Sequence, residues 1–402
     1  MNVGLWTEKD MLMLNRKVRK IMNDANCLAK TASIDQLYLP RREGGRGLVD
    51  LIRMLHRNII GITAYLYSSS DPMLVAVREQ QEGRRERSTK LFRNEADRVL
   101  NRDMPETAVQ FLRGTVLVNG EPQDQSGLRR LCVNYERQTI NKLNVRVRGK
   151  PLHGQFYQTM DNYGVPPWLT EGRVRAKTEA LLTVAQDLTL PTRHHQRCIQ
   201  KLQDMTATCR LCGKASETVK HIVSQCEAHS YTNHKDRHDS IMKTLYRVIL
   251  KQEGLDLGLC RTKPSPVVEK DNVKLIWDIS LHTDRPLTTR RPDVVLFRKK
   301  EVIYLIEGTV PWDADLELRR EQKRTKYAEL ARDMAGTHPG YRVKVIPVAI
   351  GALGSVQPLA LRNDLVDTNL IRACEFQSLV NSLSRAAAIG TERVIRSHLV
   401  KA

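Results

Sequence analysis

Residues 291–327, RPDVVLFRKKEVIYLIEGTVPWDADLELRREQKRTKY, constrain the fold more than any other stretch of the chain. Pro292 and Asp293 open a short apolar run, residues 294–297. The charged turn Arg298, Lys299 and Lys300 leads to a second run, residues 302–306, which ends at Glu307. β-Branched and aromatic residues fill both runs, so the pattern predicts a hairpin. After Pro311 the period becomes helical, with Leu316, Arg320, Lys323, Tyr327 and Leu330 on one face at spacings of three and four. Antiparallel pairing sets the start of one strand beside the end of the other. Asp293 and Glu307 are therefore expected at one end of the sheet, with Lys323 reaching over from the helix.

These residue types suit phosphodiester hydrolysis. Paired carboxylates can hold Mg²⁺ (or Mn²⁺) against a scissile phosphate, and a lysine can orient water or neutralise developing charge. The same spacing also suits an ordinary hairpin and helix, because an acid at a strand end is usually a solvated turn residue. The arrangement resembles the PD-(D/E)xK restriction-like nuclease core, with one departure. Two residues after the acid stands Thr309 in place of Lys, so the helix is expected to supply the lysine.

Charge narrows the partners. Lys and Arg outnumber Asp and Glu by 65 to 45, a net +20 with a pI near 9.7. Such an excess favours a polyanion, either nucleic acid or an anionic membrane. No run of about eighteen apolar residues exists and no signal-peptide pattern opens the chain, so nucleic acid is expected and a membrane is not. The 402 residues suggest about two to four domains. Eight cysteines without a secretory signal point to a reducing compartment, with thiols used for metal or packing.

Four residues show metal-ligand spacing: Cys209-x2-Cys212-x8-His221-x4-Cys226. Three thiolates and one imidazole make a closed tetrahedral set, which predicts a structural Zn²⁺ site rather than a catalytic one. Its expected task is to fold a small module and to present Arg210, Lys214 and Lys220. Cys27, Cys132, Cys198, Cys260 and Cys374 lack ligand spacing and are expected as buried small hydrophobes.

In chain order, residues 1–110 read as mostly helical. Within them YLPRREGGRGL, residues 38–48, is a non-helical turn surrounded by Arg41, Arg42 and Arg46. Residues 78–98, with Arg84, Arg85, Arg87, Lys90 and Arg93, read as a linker or exposed helix. A basic helical linker is expected over 111–205, carrying Arg146, Arg148 and Lys150. Its segment from Trp168, WLTEGRVRAKTEALLTVAQDLTL, reads as one helix with Thr170 as N-cap and Leu181, Leu182, Val184, Ala185 and Leu188 on its apolar side. The cysteine motif and a following helix near 241–251 make up 206–255, before a boundary near 255–268. Strands near 273–280 and 341–350 then flank the hairpin, and helices over 358–400 complete an α/β domain, 265–402.

Four motifs occur in one order: YLPRREGGRGL; WLTEGRVRAKTE…AQDLTL; CRLC…ETVKHIVSQC followed by Arg237-His238-Asp239; and TDRPLTTRRPDVVLF…KRTKY…IPVAIGALG. Together they resemble the C-terminal part of the Pol protein of site-specific, ribosomal-DNA-inserting non-LTR retrotransposons, the kind with a restriction-like endonuclease. The resemblance covers nearly the whole chain. It implies a multidomain protein: a mainly helical N-terminal half with a thumb-like remnant of reverse transcriptase, a small zinc knuckle, and a C-terminal α/β restriction-like PD-(D/E)xK nuclease. Asp293 and Glu307 are then the metal-binding acids, and Lys323, Lys326 and Tyr327 form the KxxKY element. Relatives often carry Asp followed by an apolar residue where this chain has Glu307-Gly308. The implied cofactors are Mg²⁺ (or Mn²⁺) and Zn²⁺. The implied partners are target DNA, retroelement RNA and the remainder of the Pol protein, in the nucleus. Arg41, Arg42, Arg46, Arg146, Arg148, Lys150, Arg210, Lys214 and Arg237 are the expected nucleic-acid contacts. A polymerase palm needs paired aspartates for its metals, and the chain contains no Asp-Asp pair. The expectation is a fragment that does not polymerise by itself but nicks target DNA to prime reverse transcription. The alternative is a catalytically decayed nucleic-acid-binding module.

Overall fold

The computed structural model describes residues 6–82, 92–152, 154–255, 264–298 and 301–400. Arg84, Arg85, Arg87, Lys90, Cys260, Lys299, Lys300 and most of the boundary expected near 255–268 lie outside the described residues. The fold is mixed α/β with two sheets. It divides into two compact units, residues 1–28 with 33–149 and residues 29–32 with 150–402. The division therefore falls inside the linker expected over 111–205. The cysteine motif and the C-terminal α/β region, expected as separate domains, belong to one unit.

The first unit contains α1 (Glu8–Asp24), α2 (Ile34–Tyr38), α3 (Leu51–Ser68), α4 (Pro72–Glu82) and α5 (Phe92–Asp103). Three short strands follow, β1 (Val109–Leu112), β2 (Thr115–Val118) and β3 (Glu121–Pro122), and then α6 (Gln125–Arg148). Thr7 and Asp10 form a reciprocal capping box on α1, and Asp124 caps α6 by accepting from the Gly127 N–H at 2.7 Å. The antiparallel β1–β2–β3 meander stands where helix was expected. Arg113-Gly114, with the glycine at φ 84°, turns β1 into β2, and Phe111 and Val116 drive the pair into the helical core.

The second unit opens with α7 (Gln155–Tyr163), α8 (Pro167–Glu171) and α9 (Ala176–Gln186). The single helix expected from Trp168 is thus two. Gly172, at φ 64° in the left-handed region, closes α8, and Arg175 opens α9 without a side-chain cap. Thr170 lies inside α8, where its hydroxyl donates to the Pro167 carbonyl at 3.0 Å. Leu182, Val184 and Ala185 are buried as the apolar pattern required. Next come α10 (Val219–Ser224) and α11 (Asn233–Gln252), which starts well before residue 241.

A five-stranded sheet follows: β4 (Val267–Lys270), β5 (Val273–Trp277), β6 (Val294–Arg298), β7 (Val302–Thr309) and, after α12 (Leu316–Lys326) and α13 (Ala328–Thr337), β8 (Arg342–Ala349). The strands lie in sequence order and pair antiparallel except β7 with β8, which is parallel. A parallel neighbour needs a crossover, and α12–α13 provide it. The chain ends in α14 (Pro358–Leu365) and α15 (Ala373–Val400). β7 is buried along nearly its whole length because both sheet faces are covered. Leu275, Val294, Leu296, Tyr304 and Ile306 face α11 and the C-terminal helices, whereas Ile276, Val295, Ile303 and Leu305 face Tyr327, Leu330 and Met334. That period-two division fixes the register, since a slip of one residue would exchange the two faces. It also holds β7 rigidly enough to anchor a site at its end.

Candidate functional site

Strand register assembles the first part of the site. Val294 pairs with Ile306, so Asp293 lies beside Glu307 at one end of the hairpin. The Asp293 backbone N–H donates to Glu307 Oε2 at 3.3 Å, and the Gly308 N–H donates to Asp293 Oδ2 at 2.7 Å. From α12, Lys323 Nζ donates to Glu307 Oε1 at 2.7 Å and Lys326 Nζ to the same oxygen at 3.2 Å. Leu316, Tyr327 and Leu330 on the same stripe are buried, which turns Lys323 toward the sheet. Arg320 instead reaches Asp364 at 2.8 Å. Tyr327 sits at the junction of α12 and α13, and its hydroxyl donates to the Arg291 carbonyl at 2.9 Å. Burial, reinforced by the Glu307 charge, pushes its phenol far above the ordinary value, so it stays a neutral donor. The structure thus brings together all five residues expected there: Asp293, Glu307, Lys323, Lys326 and Tyr327.

A sixth group was not anticipated at this point. His238, on α11, sets Nε2 3.0 Å from Asp293 Oδ2 and Nδ1 3.3 Å from Asp239 Oδ1. Lys235 Nζ in turn donates to Asp239 Oδ2 at 2.9 Å. Burial pulls the imidazole down, but hydrogen bonds and charge from Asp239 and Asp293 lift it to about 10. Burial likewise raises Asp293, yet the bond and charge of His238, the Gly308 N–H and Lys323 hold it below the usual carboxylate range. A cavity of about 330 Å³ opens beside these groups, lined by Lys235, His238, Asp239, Asp278, Asp293 and Lys323 among others. The sequence did carry signals: Arg237-His238-Asp239 stands among the motifs that carry the resemblance, and Lys235 and Asp239 lie at an i,i+4 spacing around His238. Nothing local tied that turn to Asp293.

The Cys/His motif closes into a compact cluster. Thr208 bridges Ser216, Gly213 turns the loop at φ 66°, and Thr218 caps α10 by accepting the His221 N–H at 3.0 Å. Cys209 Sγ lies 3.8 Å from Cys226 Sγ, and Cys212 Sγ lies 3.3 Å from His221 Nε2. The four ligand atoms all fall within 4.8 Å of one another. Tetrahedral Zn–S bonds of about 2.3 Å place two sulfurs about 3.8 Å apart. The set therefore fits a metal such as zinc.

A buried polar chain backs this cluster. Asn233 Nδ2 lies 3.1 Å from His229 Nδ1, His229 Nε2 lies 3.0 Å from His398 Nδ1, and His398 Nε2 faces Glu217 Oε2 at 3.2 Å and Cys209 Sγ at 3.8 Å. These distances suit His229 donating from Nε2 to His398 Nδ1 and His398 donating from Nε2 to Glu217. Glu217 is fully buried and also accepts from the Arg193 and Arg210 backbone N–H groups and the Arg210 guanidinium. Against burial, His398 and Arg210 hold its carboxyl well below the ordinary range. Because His398 lies on α15, the cluster is welded to the final helix. It lies in the same compact unit as the α/β region.

Several expected nucleic-acid contacts need correction. Arg210 is spent on Glu217, and Arg237 is buried with Nη1 donating to Thr391 Oγ1 at 2.8 Å, so neither presents its charge at the surface. Burial lowers the Arg237 guanidinium to about 10. Lys214 stays exposed but pairs with Glu227, and Lys220 pairs with Asp315 at 2.8 Å. In the first unit, Arg46 is mostly buried and donates to the Cys27 carbonyl at 2.8 Å, Arg41 is half-buried, and Arg42 is exposed. Arg146 and Arg148 are exposed at the end of α6. Asn144 donates to Glu43 at 3.4 Å and Arg146 lies 3.6 Å from Asp35, so the two basic runs adjoin although far apart in sequence. Lys150 falls in the second unit and is half-buried. The unassigned cysteines are not the buried hydrophobes expected: Cys198 and Cys374 are exposed, and Cys27 and Cys132 are half-buried.

No helix among the described residues is long and apolar enough to cross a membrane. Comparison with protein-family models and with curated proteins finds no match for this chain.

Proposed function

We propose that the chain is the endonuclease-bearing part of a site-specific non-LTR retrotransposon Pol protein. It nicks one strand of target DNA in the nucleus so that the new 3′-hydroxyl primes reverse transcription. The observation that carries this reading is the convergence of two carboxylates, two ammonium groups and a buried tyrosine at one sheet end beside an open cavity. An ordinary hairpin would leave Glu307 in solvent, yet here it is 4% exposed and shared by Lys323 and Lys326. A carboxylate buried at a strand end is costly even when lysines pair with it, and charged groups gathered beside an open cavity favour a site over an ordinary turn.

In this reading the α/β region is a restriction-like PD-(D/E)xK domain in which α12 supplies the lysine that Thr309 does not. Asp293 and Glu307 would hold Mg²⁺ (or Mn²⁺), which would supply an activated water and charge for the scissile phosphate. Lys323 and Lys326, which both donate to Glu307 Oε1, would offset the charge of the acid and of a bound phosphate. Tyr327 fixes the strand start through the Arg291 carbonyl. Cys209, Cys212, His221 and Cys226 hold a structural Zn²⁺, and the adjoining runs around Arg42 and Arg146 grip target DNA or retroelement RNA. Incubation with supercoiled plasmid tests the reading. Mg²⁺ should yield relaxed circles and EDTA should prevent them. Plasmid binding without any nicking would leave only a decayed nucleic-acid-binding module.

A further inference from the structure

We infer that His238 is a positioning residue for the acid pair: it fixes Asp293 so that one carboxylate oxygen is left to a divalent cation. This rests on the nuclease reading above and adds a residue to it from outside the strand–helix motif. Asp293 Oδ2 already has two donors, the Gly308 N–H at 2.7 Å and His238 Nε2 at 3.0 Å. A carboxylate oxygen bonded on two sides holds its plane, and Oδ1 is the atom that remains for a metal.

Gly308 makes the arrangement possible. A Cβ at that position would stand 2.9 Å from His238 Nε2 and 2.5 Å from Met242 Sδ. The glycine therefore supplies both the first donor, through its backbone, and the space through which the second one enters. Neighbours then hold the ring. Asp239 faces its far nitrogen at 3.3 Å, and Lys235 steadies Asp239 at 2.9 Å. α11 cannot easily turn away, because Ile241, Met242 and Leu245 are buried against the sheet and Arg237 is anchored to Thr391. A solvated surface ion pair would show neither the shared oxygen nor the tailored gap.

Mn²⁺ binding to the zinc-replete full chain, followed by electron paramagnetic resonance, tests the role without relying on turnover. Asp293→Ala identifies the signal that belongs to the acid pair. His238→Ala should weaken that binding by about 10- to 100-fold, the range for loss of an outer-shell partner. His238→Gln, whose amide can still donate to Oδ2, should restore most of it. Gly308→Ala, which displaces the ring without removing it, should fall toward His238→Ala, and thermal unfolding should show that each variant is folded. Unchanged or tighter Mn²⁺ binding in His238→Ala would overturn the inference, because an imidazolium that only neutralised Asp293 would compete with the cation. Failure of the glutamine to rescue would overturn it as well. If instead Asp293→Ala binds Mn²⁺ like the wild type, the acid pair is no metal site, and the nuclease reading fails together with the role of His238.

Discussion

The Cys/His cluster and the Asp293–Glu307 site, both in the second unit, differ in how they are assembled and in what they leave open. All four cluster ligands come from residues 209–226, and three of them are buried. Its outer shell, Glu217 and His398, is fully buried too. The acid site draws on β6, β7, α11 and α12, and it borders a cavity. A closed ligand set with a buried shell can only hold; a set with a free face can also act. On the proposed function, one region is a folding element and the other is the place where a phosphate is met.

Removing a cluster ligand should have the largest effect. Cys212→Ser should lose the roughly one zinc per chain that metal analysis of the wild type should find. Thermal unfolding should fall with it, because the packing of α10 and the end of α15 rests on that cluster. Full zinc content in a chain lacking both Cys209 and Cys212 would remove the distinction between the two regions.

A smaller but still large loss is expected behind the cluster. Arg210→Ala strands Glu217 as a buried carboxylate without its guanidinium, which typically costs about 3–5 kcal/mol. Urea denaturation should report that loss while the zinc content of the folded protein stays nearly whole. A change below about 1 kcal/mol, the scale of a surface ion pair, would mean that the shell is not closed.

The acid site should show graded effects. Lys323 Nζ is 2.7 Å from Glu307 and its side chain is 26% exposed, whereas Lys326 Nζ is 3.2 Å away and 43% exposed. Lys323→Ala should therefore slow plasmid nicking more than Lys326→Ala, with stability little changed in either. The reverse order would place the phosphate on the Lys326 side of Glu307.

Parts of this contrast were legible in the sequence, and the reason is distance along the chain. The hairpin and the cysteine spacing are local patterns, so period and turn chemistry were enough to group Asp293 with Glu307 and Cys209 with Cys226, whereas the KxxKY element was legible only through the resemblance. His238 meets Asp293 across 55 positions and His398 meets Glu217 across 181, and no local period encodes such contacts. Charge misled in a related way. Arg210 and Arg237 read as surface cations, but a guanidinium is equally able to satisfy a buried carboxylate or hydroxyl, and only packing decides. The break of the helix at Gly172 and the meander at 109–122 were missed because apolar content outweighed turn signals that the fold obeys.

The most direct measurement compares wild type and Asp293→Ala on supercoiled plasmid with Mg²⁺, with DNA affinity measured in parallel by fluorescence anisotropy. Wild type should nick the plasmid, and Asp293→Ala should bind DNA as well as the wild type yet leave it supercoiled. Equal nicking by the two proteins would place the chemistry elsewhere and contradict the assignment of Asp293 and Glu307.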